Sequence, residues 1–229
     1  MTVAWDFGDG NTATEALDSP VRHTYTTPGQ HTVTAEVEGE QVAKPVTARF
    51  RNLLANDNHA SVEEGTLDGW SVPSGLTAAS STDRALHGSR SVRIESTQSN
   101  AGWNLPFGDD FIELGDVGGR TITFMCGLFL DGPTRWPSDA TIRLRFDYRR
   151  EAGTGIRTDT HYFDASVIGE WTPQRFEWIC PAGTVRARMD QFYISGGGLS
   201  MKRCYLDRLG LFVGNVPWEA WSLPSEFQP

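Results

Sequence analysis

Apolar and polar residues alternate along most of this chain, which is the pattern of strands with one buried face. The alternation is clearest in residues 31–39, 141–148 and 185–192. In the second of these segments every other residue from Ile142 to Tyr148 is apolar, and Arg, Arg and Asp lie between them. Gly and Pro clusters separate the alternating runs, and we find no three-turn stretch with helical spacing. The pattern predicts an all-β chain, built as two sandwiches.

The alternating runs fall into two groups that meet near residue 50. We expect a small domain at 1–50 and a larger one at 51–214. Residues 215–229 break the alternation and contain three Pro, together with Trp218, Trp221 and Phe227. We expect this segment to be an extended arm that docks on a partner, because Pro lowers the entropy of a free arm and the aromatic side chains can anchor it in pockets.

Composition narrows the classes of function that remain. The chain has 229 residues, is 38% hydrophobic and carries a formal net charge of −9. An acidic balance disfavours nonspecific nucleic-acid binding, and the lack of an apolar run of about 18 residues predicts no membrane insertion. The three cysteines lack the spacing of a metal or redox motif. We expect buried thiols, with one disulfide and a spare cysteine as the alternative.

Three short motifs mark the first domain. They read W-D-F-G-D-G at 5–10, H-T-Y at 23–25 and P-G-x-H-T-V at 28–33. Together they resemble a PKD domain, which implies an immunoglobulin-like sandwich. The W-D-F-G-D-G turn then has a scaffold role, with local Asx hydrogen bonds from Asp6 and Asp9. Only four residues precede the turn, so we expect a partial sandwich that another chain or subunit completes.

The second domain resembles a carbohydrate-binding module with a galactose-binding-like jelly roll. The motifs that carry this resemblance are V-E-E-G-T-L-D-G-W at 62–70, H-G-S-R-S-V-R-I at 87–94 and Y-L-D-R-L-G-L-F at 205–212. The resemblance implies a structural calcium shared by Glu63 and Asp207, and carboxylates are suitable ligands for that hard cation. The alternative is that both carboxylates are solvated or hydrogen-bonded at a strand end.

Sugar-binding sites usually stack a ring on an exposed aromatic side chain. The polar faces of the predicted strands carry Arg and carboxylate residues and no aromatic ring, so we expect cross-strand ion-pair ladders there, with an anionic-glycan site as the alternative. Loop aromatics are the better candidates for a site that binds sugar or protein, although plain packing also explains them. These candidates are Trp103, Trp136, Tyr162 and Trp171.

Catalytic motifs such as HExxH and GxSxG are absent from the sequence. The acidic residues alternate with Arg and not with aromatics, unlike a glycosidase face. We therefore expect a non-enzymatic protein.

Two functional hypotheses remain open. The first is a bacteriophage virion protein, such as a minor tail or capsid-decorating protein, assembled in the host cytoplasm with other virion subunits or copies of itself and adhering to cell-surface glycan. The composition, the Trp/Pro arm and the lack of a signal peptide after Met1 favour it. The alternative is an accessory carbohydrate-binding module of a secreted bacterial polysaccharide-degrading enzyme.

Overall fold

A computed structural model of the chain shows two compact units, Met1–Arg51 and Asn52–Pro229. In residues 100–103, 112–113 and 188–191 the backbone alone is described. The structure describes residues 1–23, 25, 29–48, 52–54, 62–63, 65–67, 76–98, 100–103, 112–114, 117–132, 136–198 and 201–218. The described part contains fourteen β-strands, which confirms the all-β prediction. Within those ranges no helix has the length and apolar character needed to cross a membrane.

The first unit contains one antiparallel sheet in its described residues. The strands lie in the order β2-β1-β3-β4. Their bounds are β1 Thr2–Asp6, β2 Thr12–Ala16, β3 Gly29–Val37 and β4 Glu40–Ala48. Val3 and Phe7 are buried, whereas Val42 on the edge strand is 62% exposed. Completion of this sheet by a partner chain stays a prediction.

The W-D-F-G-D-G turn joins β1 to β2 and packs closely on β3. A Cβ at Gly8 would lie 2.5 Å from the carbonyl oxygen of Thr32, and the backbone φ there is +74°. Asp6 and Asp9 accept backbone N–H bonds two residues ahead, at 2.8 and 3.1 Å. The turn therefore needs glycine for space and for backbone conformation, and its Asp residues form the expected local bonds.

The second unit is a β-sandwich of two five-stranded sheets. The front sheet has the order β11-β10-β13-β7, with β8 also paired to β13, and the back sheet has the order β12-β9-β14-β6-β5. The strand bounds are β5 Thr77–Ser81, β6 Ser91–Ser96, β7 Asn100–Trp103, β8 Ile112–Glu113, β9 Thr121–Leu130, β10 Thr141–Arg149, β11 Gly155–Tyr162, β12 Trp171–Ile179, β13 Arg186–Ser195 and β14 Lys202–Val213. This architecture confirms the predicted sandwich.

The core lies between the two sheets and is built from the apolar positions of the alternating strands. Leu144 and Ile194 from the front sheet and Phe124 and Leu206 from the back sheet are fully buried in one cluster. The three cysteines are free and buried, as predicted. The alternation of the sequence therefore assigns one face of each sheet to the core, and the two outer faces remain for other roles.

Candidate functional site

The outer face of the front sheet carries a row of aromatic and cationic residues. In the register of the sheet Arg143 of β10 lies opposite Tyr162 of β11 and opposite Tyr193 of β13. Tyr193 in turn lies opposite Gly102 of β7, which adds no side chain to the row. Directly opposed residues of antiparallel strands point to the same side of a sheet. Tyr162, Arg143 and Tyr193 therefore form one row, here called the front row.

The front row offers both ring surface and charge. The Arg143 guanidinium carbon lies 4.3 Å from the centroid of the Tyr193 ring, within the range of a cation–π contact. The Tyr162 side chain is 61% exposed. Thr160 of β11 lies opposite Arg145 in the next register position, so hydroxyl groups adjoin the row. Such a flat surface of rings and polar groups suits contact with a sugar chain.

The expectation that the polar faces carry no aromatic ring is wrong for the front sheet. A β-bulge in β13 explains the error, because Arg145 pairs with Gln191 while Phe146 pairs with Met189. The extra residue changes which alternate positions face inward. Ala187 lies in the core before the bulge and Phe192 lies in the core after it. Tyr193 consequently faces outward, although the phase before the bulge would place it in the core.

Among the described side chains, several ion pairs run along a single strand and not across the sheet as the expected ladders would. Arg149, Arg157 and Arg175 each bond to a carboxylate two residues away along the same strand, at 2.6 Å in each pair. Arg203 does pair across strands with Glu95, in the register of β14 and β6. Residues two apart share one face of a strand. The same alternation that puts Arg and carboxylate residues on the outer face of a strand therefore also brings them close enough to pair with each other along that strand.

The four aromatic candidates from the sequence do not converge on one site. Tyr162 belongs to the front row. Trp103 lies on β7 opposite Phe192, and only the backbone of Trp103 is described. Trp136 is 2% exposed and belongs to the core, so it is not accessible to a ligand and the packing alternative applies. Trp171 begins β12 of the back sheet. Tyr162 is thus the exposed member of the predicted set that the sheet places beside Arg143.

A loop covers one part of the outer face of the back sheet. Leu86 packs over Gly127, where a Cβ would lie 2.4 Å from a Leu86 methyl group. The guanidinium carbon of Arg84 lies 4.5 Å from the centroid of the Phe129 ring. Trp171 also contacts Phe129, with 5.6 Å between ring centroids. Residues 82–90, here called the cover loop, therefore cover the outer face of the back sheet around Gly127 and Phe129 and limit the access of a ligand to it.

The first residues of the arm cover another part of the back sheet. Thr123 of β9 donates its hydroxyl proton to the carbonyl of Gly214 at 2.6 Å and accepts a bond from the Val216 amide at 3.2 Å. Arg175 donates to the Val216 carbonyl at 2.8 Å. Trp218 is half-buried and its ring centroid lies 5.8 Å from the Arg208 guanidinium. The arm thus begins by docking on its own domain.

Trp221 and Phe227, the other two residues predicted to dock on a partner, lie outside the described residues. Partner docking by the arm stays a prediction.

Glu63 and Asp207 lie together and hold the cover loop. Asp207 accepts backbone N–H bonds from Leu86 at 2.7 Å, from His87 at 2.9 Å and from Arg208 at 2.7 Å. Glu63 accepts bonds from the amide and hydroxyl of Ser89 and from the Arg90 amide, at 2.8–3.1 Å. Burial raises the pKa of Asp207 to about 7, although its N–H bonds oppose the rise.

These two carboxylates do not fit a calcium site in this arrangement. Calcium takes six to eight oxygen ligands, whereas six N–H and O–H donors already point at the four oxygens of Glu63 and Asp207. The described residues contain no group of three or more acidic, His or Cys side chains that could hold a metal. The geometry matches the hydrogen-bonded alternative, and calcium binding stays a prediction.

A group of buried polar atoms, separate from Glu63 and Asp207, lies among the aromatic residues between the two sheets. The His161 ring packs against Trp178, with 4.7 Å between centroids, and Trp178 packs against Phe146 at 4.5 Å. Among the described residues the Nε2 of His161 is buried without a hydrogen-bond partner, whereas the buried Nε1 of Trp178 lies close to the hydroxyl of Tyr148. Burial lowers the pKa of His161 and raises that of Tyr148, so both stay neutral near pH 7.

Solved structures similar to this chain include a bacteriophage protein and several carbohydrate-binding modules. The enzymatically active domain of tailspike protein 4 from bacteriophage CBA120 aligns with a TM-score of 0.51 and 13% identity, over 71% of this chain and 21% of that chain. At that identity the likeness shows a shared fold alone. No curated protein sequence matches the chain.

Two carbohydrate-binding structures align at lower scores. A carbohydrate-binding module of the β-sandwich superfamily has a TM-score of 0.46 and 16% identity, over 93% of this chain and 85% of that chain. The CBM22-1 xylan-binding domain from Paenibacillus barcinonensis Xyn10C has a TM-score of 0.47 and 17% identity, over 75% of this chain and all of that chain. Residues 1–51 match the family model described as the PKD domain, which confirms the resemblance inferred from the W-D-F-G-D-G motif.

Proposed function

We propose that this protein is a non-catalytic glycan-binding module whose site is the outer face of the front sheet. The observation that carries the proposal is the front row, in which two tyrosines flank Arg143 on adjacent strands. Aromatic rings present flat apolar surface to a sugar ring, and neighbouring polar groups can bond its hydroxyls. The carbohydrate-binding resemblance of the sequence motifs points to the same class of ligand.

Coverage of the back sheet supports the choice of the front face. The cover loop and the first residues of the arm pack on the outer face of the back sheet through Leu86, Arg175 and Val216. Tyr162 of the front sheet is instead largely exposed. A sugar chain needs an accessible surface, so the front row is the better candidate among the described residues.

The setting in which this module works stays a prediction. A virion component that adheres to cell-surface glycan and an accessory module of a secreted polysaccharide-degrading enzyme would both use the same face. No feature of the front row favours one of these settings over the other. The proposed activity, glycan adhesion without catalysis, is common to both.

Binding of the full chain to an array of bacterial and plant polysaccharides, followed by calorimetric titration of the hits, tests the proposal. We expect Tyr193→Ala and Tyr162→Ala each to weaken binding about tenfold or more. The magnitude is taken from nucleic-acid bases, whose stacking on an aromatic side chain contributes about 1–3 kcal/mol per base. The matched control is Ile179→Ala, which removes a 58% exposed apolar side chain from the back sheet. Equal losses in all three variants, or no binding by the wild type, would reject the proposal.

A further inference from the structure

We infer that the front face selects an acidic glycan and that Arg143 pairs with a carboxylate of the sugar. The inference rests on the proposed function, since it assigns a ligand class to the same site. Its starting point is the position of a guanidinium between two tyrosines on a sheet face, where the register places no carboxylate beside it.

The described residues that the register places beside Arg143 on its face are neutral or basic. Tyr162 and Tyr193 lie opposite it on the adjoining strands, and Thr141 and Arg145 lie two residues away along its own strand. The acidic residue of β10, Asp147, lies farther along the strand and bonds to Arg149 at 2.6 and 3.0 Å. Within the described part of the chain, the Tyr193 ring is the contact of the Arg143 guanidinium.

This environment differs from that of other strand arginines. Arg157 bonds to Asp159 and Arg175 bonds to Glu177, each at 2.6 Å, and Arg203 bonds to Glu95. The chain carries 29 acidic residues against 20 basic ones, so acidic partners are plentiful. A cation that faces outward without such a partner, in an otherwise acidic protein, leaves local positive potential available to an anionic ligand.

The chemistry of the front row matches a sugar that carries a carboxylate. A guanidinium presents N–H groups in a planar fork that binds a carboxylate at two points, and these charge-assisted bonds are stronger than neutral ones. The Tyr193 ring holds the guanidinium on one side, which reduces the side-chain entropy lost on binding. Adjacent strands lie about 4.8 Å apart, so the row spans about 10 Å from β11 to β13, with a ring surface on either side of the charge.

An acidic peptide is a less suitable ligand for this face. Peptides that bind to sheets commonly add a strand at an unpaired edge and use main-chain hydrogen bonds. Here β10 is paired on both sides, with β11 and β13, and β13 is paired with β10 and β7. Arg143 and Tyr193 therefore lie inside the sheet, whereas Tyr162 lies on β11 at its edge. A peptide added as a strand beside β11 would contact Tyr162 and would not reach across Arg143, where recognition depends on side chains and on a ligand that can lie flat across them.

The test compares acidic polysaccharides with their carboxyl-reduced counterparts, using the full chain and polygalacturonate, alginate and hyaluronan as probes. We expect at least one acidic polymer to bind, its carboxyl-reduced form to bind about tenfold or more weakly, and added salt to weaken the acidic polymer alone. Arg143→Gln should lose the preference for the acidic form. The matched control, Arg120→Gln, removes an exposed arginine of a turn and should keep the preference.

The outcomes separate the inference from the function beneath it. Equal binding of acidic and carboxyl-reduced polymers, with no effect of Arg143→Gln, overturns the acidic preference and leaves glycan binding in place. Binding to none of the arrayed or tested polysaccharides overturns both. Equal competition by poly-glutamate shows that charge alone is recognised, and it overturns the assignment of a glycan in favour of an acidic peptide.

Discussion

Asn52 fastens the start of the second unit to the middle of β14, and replacing it by alanine should destabilise that unit. The side chain is buried. Its amide donates to the carbonyl of Leu209 at 3.1 Å, and its oxygen accepts from the amides of Leu54 at 3.0 Å and Leu211 at 2.9 Å. Leu209 belongs to a bulge of β14, between the register positions of Asp207 and Gly210. Asn52 thus bonds to a carbonyl inside this bulge, to the Leu211 amide just after it and to the Leu54 amide of its own segment.

The magnitude follows from the groups that Asn52→Ala leaves behind. Two buried amide donors and one carbonyl lose their partner, and an unsatisfied buried group costs about 1–3 kcal/mol. Taking the lower end for each gives about 3 kcal/mol of lost stability. A domain of this size changes its Tm by about 2–4 °C per kcal/mol, so the transition of the second unit should fall by about 6–12 °C.

Scanning calorimetry of the full chain measures this change, since we expect two compact units to unfold in separate transitions. The matched control is Asn215→Ala, which removes the same side chain where its bonds to Arg175 and Glu177 are exposed. Exposed bonds of this kind contribute little, so the control should lower the Tm by about 2 °C or less. Equal losses in the two variants would refute the argument from buried partners.

Three further predictions address other parts of the molecule. A calcium chelator should leave the Tm unchanged, while Glu63→Gln should lower it, because protein donors already bond the carboxylate; a chelator-induced fall would establish calcium instead. Burial lowers the pKa of His161, so the unfolded state takes up protons first and stability should fall as pH drops below about 6.5; urea titrations at several pH values should show a shallower fall for His161→Phe. Gly8→Ala should destabilise the first unit by more than 1 kcal/mol, since the new Cβ meets Thr32; the matched Gly10→Ala has open space, and equal effects on thermal unfolding would contradict the role of close packing.

Strand positions follow from the sequence wherever the alternation runs without interruption. In β10 the alternation from Ile142 to Tyr148 identifies every core residue, because a strand has a side-chain period of two. The arrangement of sheets is not contained in that period, since it depends on contacts between residues far apart in the chain. The alternation therefore predicts the core of each strand and leaves the neighbours of each strand undetermined.

The front row was missed for a specific physical reason. A bulge in β13 changes the inward phase between Ala187 and Phe192, so the alternation before the bulge does not predict the faces after it. The sequence identifies Tyr162 as a candidate loop aromatic, but its partnership with Arg143 follows only from the register of β10 and β11. The stretch F-Y-I-S at 192–195 contained the one available clue, since Phe and Ile two residues apart place the intervening Tyr193 on the opposite face.

The two outer faces of the sandwich separate stability from recognition, and this separation can be tested. Arg175 holds the first residues of the arm on the back sheet through Val216, whereas Tyr193 contributes ring surface to the front row. Arg175→Ala should lower the Tm of the second unit and leave glycan affinity within about twofold, because its bonds are remote from the binding face. Tyr193→Ala should instead weaken glycan binding and leave the Tm of the second unit nearly unchanged. If Arg175→Ala abolished binding while the domain stayed folded by circular dichroism, the ligand would lie on the back sheet and the front row would be a packing feature.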